Sequence, residues 1–293
     1  MSLSVRELLT VSRPISWFNT VFGCAAGAFL AGGSLKEPRN LLALAYFALP
    51  YNLALYGIND ICDYPSDKLN PRKNSVEGGL LPPETHRPML AWIAALNGPL
   101  LPALALLGDR RANGVLGFLA ATTVAYSAPP LRLKEVPGLD SFVSATHYVT
   151  PFVYGLALNR AAGYPRREIA AFVVWCMASQ SFGAIQDVEF DRAGGFASIA
   201  TTLGARRTAQ LATALYLLAA LVGLTGGSAG RGKRLAGALA VLPYAANTAI
   251  FLRDPRPERA NRHWRTFIWL NLVTGVAYSI IFLWGRTKCK PFG

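Results

Sequence analysis

Charge is what this chain has least of. Only 15% of its 293 residues are Asp, Glu, Lys or Arg, where an average globular chain carries roughly a quarter. That scarcity excludes a disordered chain, which needs many charges and few apolar residues. Acids are the rarer sign, 16 Asp+Glu against 29 Lys+Arg, for a formal net charge of +13. Four cysteines (Cys24, Cys62, Cys176, Cys289) form no C-x-x-C pair, and three histidines (His86, His147, His263) are scattered. This spacing argues against a zinc site or a disulfide framework. Gly226-Gly-Ser228-Ala-Gly230 fits G-x-S-x-G by its letters. It lies between apolar runs rather than after a strand, which argues against a hydrolase elbow. No Walker motif or dinucleotide-binding context is present.

Long apolar runs are what is there. Stretches free of Asp, Glu, Lys and Arg cover 14–35, 40–59, 88–108, 112–131, 141–159, 169–186, 208–230, 235–252 and 266–285, each 18 to 23 residues long. A helix crossing a ~30 Å hydrocarbon core needs about 20 such residues. Backbone in lipid must be helical or form a closed barrel. The pattern predicts an all-α, polytopic membrane protein with nine transmembrane helices and one domain over 1–293. The first run lacks a convincing A-x-A cleavage site and is expected to be the first span rather than a signal peptide. A basic chain also suggests nucleic acid, but such proteins gather Lys and Arg on one polar face. Here they are spread between the apolar runs.

Threading nine helices puts 13 of the 16 acids on the face that carries the amino terminus, all but Glu37, Asp109 and Glu168. Lys+Arg split 16 to 13 in favour of the same face. The positive-inside rule then makes that face cytoplasmic, by a narrow count. Two acidic clusters stand out on it. Asn59-Asp60-Ile-Cys-Asp63-Tyr-Pro-Ser-Asp67 has the spacing N-D-x-x-D-x-x-x-D. If the second helix continues through it, Asp60, Asp63 and Asp67 share one face with Asn52 and Tyr56. Pro65 threatens that continuity near Asp67. Gln186-Asp187-Val-Glu-Phe-Asp191 ends the sixth helix, with Asp187 and Asp191 one turn apart and Glu189 on the far side.

Polar stripes on spanning helices face a bundle interior or a water-filled cavity. Converging carboxylates raise one another's pKa unless a cation intervenes. Mg²⁺ suits them, since it takes oxygen ligands and bridges one or two carboxylates to phosphates. Basic residues follow each cluster: Lys68, Arg72 and Lys73, then Arg132 and Lys134 in the next loop of that face, and Arg192, Arg206 and Arg207 after the second. Arg72 and Lys134 lie nearest the clusters and are the first candidates for phosphate. The run Arg253, Arg256, Arg259, Arg262 and Arg265 reads instead as lipid head-group contact. Acids, metal and cations at the mouth of an apolar cavity suit an allylic diphosphate. Its carbocation needs a dry site and aromatic faces, for which Tyr56, Tyr126, Tyr148 and Trp175 are candidates. Solvated helix ends would account for either cluster alone. A transporter would account for membrane acids, but predicts them near the midplane rather than at helix ends.

The two clusters resemble the N-D-x-x-D-x-x-x-D and D-x-x-x-D motifs of the UbiA superfamily of intramembrane prenyltransferases. Tyr126-Ser-Ala-Pro-Pro-Leu-Arg132-Leu-Lys134 resembles that superfamily's loop between its fourth and fifth helices, and Arg72 falls where it carries a basic residue. Further stretches are similar to bacterial lycopene elongases: Ser12-Arg13-Pro14 through Asn19-Thr, Pro50-Tyr-Asn52 through Asp60, Asn70-Pro-Arg72-Lys73 through Gly79, Gln186 through Thr201, and Ala260-Asn261-Arg262-His-Trp264 through Asn271. The resemblance implies a nine-helix bundle around an apolar cavity. It implies Mg²⁺ held by Asp60, Asp63, Asp67, Asp187 and Asp191, and dimethylallyl diphosphate clamped by Arg72 and Lys134 with Lys68, Lys73 and Arg132. The implied acceptor is lycopene, prenylated to C45 and C50 carotenoids, with a quinone, aromatic or lipid acceptor as the enzymatic rival. Asn59, Tyr56 and Tyr126 belong to the expected substrate site. Asn19, Asn52 and His147 are open between substrate contact and helix–helix hydrogen bonds. The lipid bilayer and other carotenoid-pathway enzymes are the expected surroundings.

Overall fold

A computed structural model describes residues 3–69, 79–227 and 230–285, with side chains described as far as residue 277. Every regular element among them is a helix. They are α1 (Val5–Ser12), α2 (Pro14–Leu30), α3 (Pro38–Ala48), α4 (Pro50–Cys62), α5 (Tyr64–Asp67), α6 (Pro83–Leu107), α7 (Arg110–Ser127), α8 (Leu139–Leu158), α9 (Arg166–Ala184), α10 (Val188–Gly194), α11 (Ile199–Leu224), α12 (Arg231–Phe251) and α13 (Pro257–Gly285). Short 3₁₀ turns occupy Leu133–Glu135 and Ile185–Asp187. Each of the nine apolar runs falls on a helix. Among the described residues, five helical stretches are long and apolar enough to cross a membrane: Pro38–Cys62, Pro83–Leu107, Arg166–Gly194, Ile199–Leu224 and Arg231–Phe251. Pro14–Leu30 is apolar but shorter. These five, counted among the described residues, do not confirm the expected number of nine crossings.

The chain forms two compact units. One comprises Met1–Lys134, Thr146–Ala162 and Ala193–Gly195; the other comprises Glu135–Ala145, Gly163–Arg192 and Phe196–Gly293.

In the first unit, α3 and α4 form one span broken at Leu49, because Pro50 brings no N–H to continue the ladder. The Asn52 amide fills that break. Its Nδ2 lies 2.7 Å from the Phe47 carbonyl and 2.8 Å from that of Ala48. It also lies 3.0 Å from Thr20 Oγ1 on α2, which itself donates to the Phe47 carbonyl at 2.8 Å. A second polar pair joins Asn40 and Asn159, whose side-chain amides exchange bonds of 2.9 and 2.8 Å. In lipid, where apolar burial gives no advantage between helices, such bonds and close packing supply the adhesion. Close packing is visible where α2 meets α8. A Cβ on Gly27 would stand 2.1 Å from the Phe152 carbonyl oxygen, and one on Gly155 would stand 2.2 Å from that of Cys24. Both positions admit only hydrogen. Around them lie fully buried Phe47, Tyr51 and Tyr154, ring edges against ring faces.

In the second unit, α11 packs between α9 and α12. Its first turn is closed by Ser198, whose hydroxyl accepts from the Thr201 N–H while Thr201 Oγ1 accepts from the Ser198 N–H. Asp140 supports the same turn: its Oδ2 accepts from the Ile199 N–H at 2.7 Å, and its Oδ1 from Gly138 and Ser141 at the start of α8. Gly204 kinks α11 at φ 76°, a left-handed value that a Cβ disfavours. The core here is aromatic. Trp175 lies edge-on to Tyr244 at 5.2 Å and stacked on Phe267 at 5.8 Å, with Tyr216 fully buried beside them. Trp175, expected to line a substrate cavity, is thus a packing residue of this cluster.

Gly27→Ala and Gly155→Ala should each destabilise the protein, by about 1–3 kcal/mol, because the added carbon has nowhere to go but into backbone. Thermal unfolding in detergent, followed by retention of the monodisperse peak, checks this. Gly98→Ala, where nothing lies within 4 Å of the added carbon, is the control and should melt like the parent.

Candidate active site

The first acidic motif does not ride on one continuous helix. The helix breaks at Asp63 (φ −94°, ψ 0°), two residues ahead of Pro65, and α5 starts afresh at Tyr64. Pro65 cannot donate its backbone N–H and crowds the residue before it, so the chain turns where the sequence carries its middle aspartate. The Asp63 carbonyl recovers partners in the Ser66 and Asp67 N–H groups, both at 2.9 Å. The expected single stripe is therefore two short faces joined at Asp63. Asp60 and Asp67 are buried, Asp63 is half-buried and Lys68 is exposed.

Cations meet these carboxylates inside the first unit. Arg13 Nη2 lies 2.8 Å from Asp60 Oδ1, and the Asp60 side chain is wholly buried. The same guanidinium sits 4.3 Å over the Tyr56 ring. Lys134 Nζ contacts Asp63 Oδ1, and Arg132 Nη2 reaches the same oxygen at 4.0 Å. Asn59 Nδ2 donates to Asp63 Oδ2 at 2.9 Å and to Ser127 Oγ at 3.2 Å. The backbone is bent to deliver these groups. Arg13 links α1 to α2 at φ 51°, and Arg132 stands at φ 41° before the turn that carries Lys134. Left-handed arginines cost of order 1–3 kcal/mol each, and both serve the acidic motif.

Aromatic groups adjoin the Arg13–Asp60 pair through Tyr56. The Tyr56 and Tyr148 hydroxyls are 3.0 Å apart. Tyr126 meets the His147 ring edge-to-face at 5.1 Å, and the Tyr51 hydroxyl donates to the His147 carbonyl at 3.2 Å. Of the remaining expected contacts, Asn19 is half-buried on α2 and Asn52 is engaged at the α3–α4 break. Arg72 and Lys73 lie outside the described residues, as do Val76, Glu77 and Gly78 of the resembling stretch and Ser228 of the G-x-S-x-G letters. Arg13 was not among the expected contacts. The only signal was its place ahead of a proline in a resembling stretch, 47 residues from Asp60.

The second acidic motif lies in the second unit, and it too departs from a continuous helix. α9 ends at Ala184, a 3₁₀ turn carries Asp187, and α10 carries Asp191. The tighter turn advances the chain by three residues rather than 3.6, so an i, i+4 reading of this pair is only approximate. Asp187 and Asp191 are half-buried, and Glu189 is exposed, as its placement on the far side predicts. Gln186 Oε1 accepts from Asn261 Nδ2 at 2.9 Å, and Gln180 Oε1 from Ser144 Oγ at 2.9 Å. Arg192 donates to the Thr201 carbonyl, tying α10 to the start of α11. In the basic run that leads into α13, Arg256 just ahead of the helix and Arg259 in its first turn are held by Asp254, whose carboxyl they pull down to about 2.

Among the described residues, no three His, Cys, Asp or Glu side chains stand together as an all-protein metal cage. The donors present are hard carboxylate and amide oxygens, a set that fits Mg²⁺, which completes its shell with water and phosphate.

Residues 20–284 match the model of the UbiA prenyltransferase family. The chain belongs to this family. Among curated relatives, the lycopene elongase/hydratase of Corynebacterium glutamicum is 38% identical over 288 residues, 97% of this chain and 98% of that protein. The C(50) beta-cyclic carotenoids biosynthesis protein LbtBC of Dietzia sp. is 41% identical over 277 residues, 93% of this chain and 63% of that longer protein. A solved UbiA homologue from Archaeoglobus fulgidus, bound to DMAPP and Mg²⁺, superposes with a TM-score of 0.71 at 20% identity, over 91% of this chain and 98% of that one. An apo UbiA homologue from Aeropyrum pernix gives 0.69 at 19% identity over the same shares. These likenesses show the fold. The UbiA chain is a multi-pass, all-α membrane prenyltransferase.

Arg13→Met removes the cation facing a buried carboxylate and should cost on the order of 3 kcal/mol. Adding Asp60→Asn to it should recover more than half of that loss. Thermal melts of the single and double variants in detergent check the coupling; additive losses would show that the pair is not coupled.

Proposed function

We propose that the chain transfers a dimethylallyl group from dimethylallyl diphosphate to one end, then the other, of lycopene, giving C45 and C50 carotenoids. The observation that carries this is similarity to a lycopene elongase/hydratase along 97% of the chain at 38% identity, with all five motif aspartates present. Asp60, Asp63 and Asp67, with Asp187 and Asp191, would hold Mg²⁺. When bound, the metal neutralises the diphosphate and favours its departure. Lys134 and Arg132, with Lys68, Arg72 and Lys73, clamp the diphosphate oxygens. The contact of Lys134 with Asp63 supports this, since it puts an ammonium beside the acidic motif.

The C–O bond breaks with its electron pair leaving on the diphosphate. Tyr56, Tyr126 and Tyr148 offer aromatic faces and exclude water around the resulting allylic cation. The terminal double bond of lycopene supplies the electrons of the new C–C bond, which leaves a tertiary cation; loss of a proton or capture of water ends the step. An acceptor about as long as the ~30 Å bilayer core enters sideways from lipid. We place the whole chain in one prenyltransferase domain of the cell membrane, with the aspartate-bearing face cytoplasmic. Support for that orientation is the 16 to 13 split of Lys+Arg. Other carotenoid-pathway enzymes are its expected neighbours.

Expression in lycopene-producing cells should give larger carotenoids. Asp63→Asn and Asp187→Asn should each lower their yield at least about 100-fold at unchanged protein level, since a charge-stabilising group commonly contributes that much. Pigment chromatography with mass detection checks both. Unchanged lycopene together with a prenylated quinone or lipid would assign a different acceptor, and full turnover in both variants would sink the metal–diphosphate mechanism.

A further inference from the structure

His147 is the one histidine of the first unit set deep in its helices, 2% exposed and in the middle of α8. Neither of its ring nitrogens has a hydrogen-bond partner among the described residues. Buried polar groups are nearly always bonded, and an orphaned one asks for a reason. A purely structural histidine would spend a nitrogen on a neighbouring carbonyl or hydroxyl. The neighbours of His147 do not take it up. The Tyr51 hydroxyl bonds to the His147 backbone carbonyl rather than to the ring. Tyr126 meets the ring edge-to-face, with the two planes at 83°. Tyr148, the next residue, bonds to Tyr56, whose ring lies under Arg13 and thus under the Asp60 ion pair. The imidazole is therefore held against Tyr126, one residue along α8 from the Tyr148–Tyr56–Arg13 contacts, with an uncommitted lone pair.

We propose that His147 is the proton acceptor that ends the prenyl transfer. The role rests on the reading of the chain as a prenyltransferase acting on lycopene. After the C–C bond forms, the acceptor carries a tertiary carbocation. An imidazole nitrogen takes a proton from a carbon next to the cationic centre. The C–H electron pair becomes the new double bond, the cation is neutralised, and the proton leaves on the imidazolium. No other reactant is consumed. The site suits this division of labour. Asp60 and Asp63 each face a cation, whereas the His147 ring nitrogens have no hydrogen-bond partner among the described residues.

His147→Gln and His147→Asn test the role. Each retains an amide able to serve in a structural bond but no basic nitrogen. Purified full-length protein in vesicles containing lycopene is supplied with dimethylallyl diphosphate and Mg²⁺. Diphosphate release and the end groups of the carotenoid products are measured together. The expected result is a fall of about tenfold or more in newly unsaturated product per diphosphate released, with hydroxylated product in its place, as a general base commonly contributes 10²–10⁴-fold. A product ratio equal to that of the parent, at any rate of release, overturns the proposal. So does a loss of diphosphate release and product in step in both variants, which marks a structural role. A parent enzyme whose only products are hydroxylated also overturns it, while leaving the lycopene reading intact. Absence of lycopene-dependent diphosphate release in the parent overturns that reading, and this role with it.

Discussion

A carboxylate buried in a membrane protein must be matched by positive charge, and around Asp60 and Asp63 that requirement organises the amino-terminal unit. Asp60 is sealed from solvent and faces Arg13 from the α1–α2 junction. Asp63 faces Lys134 and Arg132 from the turn after α7. Two left-handed arginines, Arg13 and Arg132, are tolerated at these places because the charges fix them there. Under the proposed function, Lys134 and Arg132 would also meet the diphosphate. Charge balance and substrate binding thus ask for one arrangement.

Breaks in helices set the positions of the acids. Pro50 interrupts the second span and draws in Asn52 and Thr20; Asp63 interrupts it again ahead of Pro65; and a 3₁₀ turn interrupts the α9–α10 stretch at Asp187. A continuous helix would point successive acids along a fixed 100° progression. Each break interrupts that progression; at Pro50 side chains take up the freed carbonyls, and at Asp63 the backbone N–H groups of Ser66 and Asp67 do. Close packing of α2 on α8 at Gly27 and Gly155 leaves no room for a side chain at either position.

Much of this was legible from residue order. The apolar runs gave the helical class, because only helices of that length satisfy their own backbone in lipid. The nearness of Lys134 to the first acidic motif was legible, because the two stand on neighbouring loops of the threaded chain. Arg13 was not, since its partner Asp60 is far along the chain and an isolated Arg before a proline looks like any interfacial charge. Trp175 was read as a cavity residue because an aromatic side chain is the same letter in a cavity wall or a packed core. Asn52 and His147 were open between substrate and structure for a similar reason. The tertiary arrangement engages Asn52 at a helix break and leaves the His147 ring nitrogens uncommitted.

The sequence by itself determined that the chain is a membrane-spanning helical protein whose few acids gather in two motifs, because apolar length and charge placement are properties of the one-dimensional chain. Only the tertiary structure decided which cation meets which acid, where the helices break, and which polar groups inside are satisfied. Those are matters of distance between residues remote in sequence, as where Thr20 of α2 takes up the Phe47 carbonyl freed at Pro50.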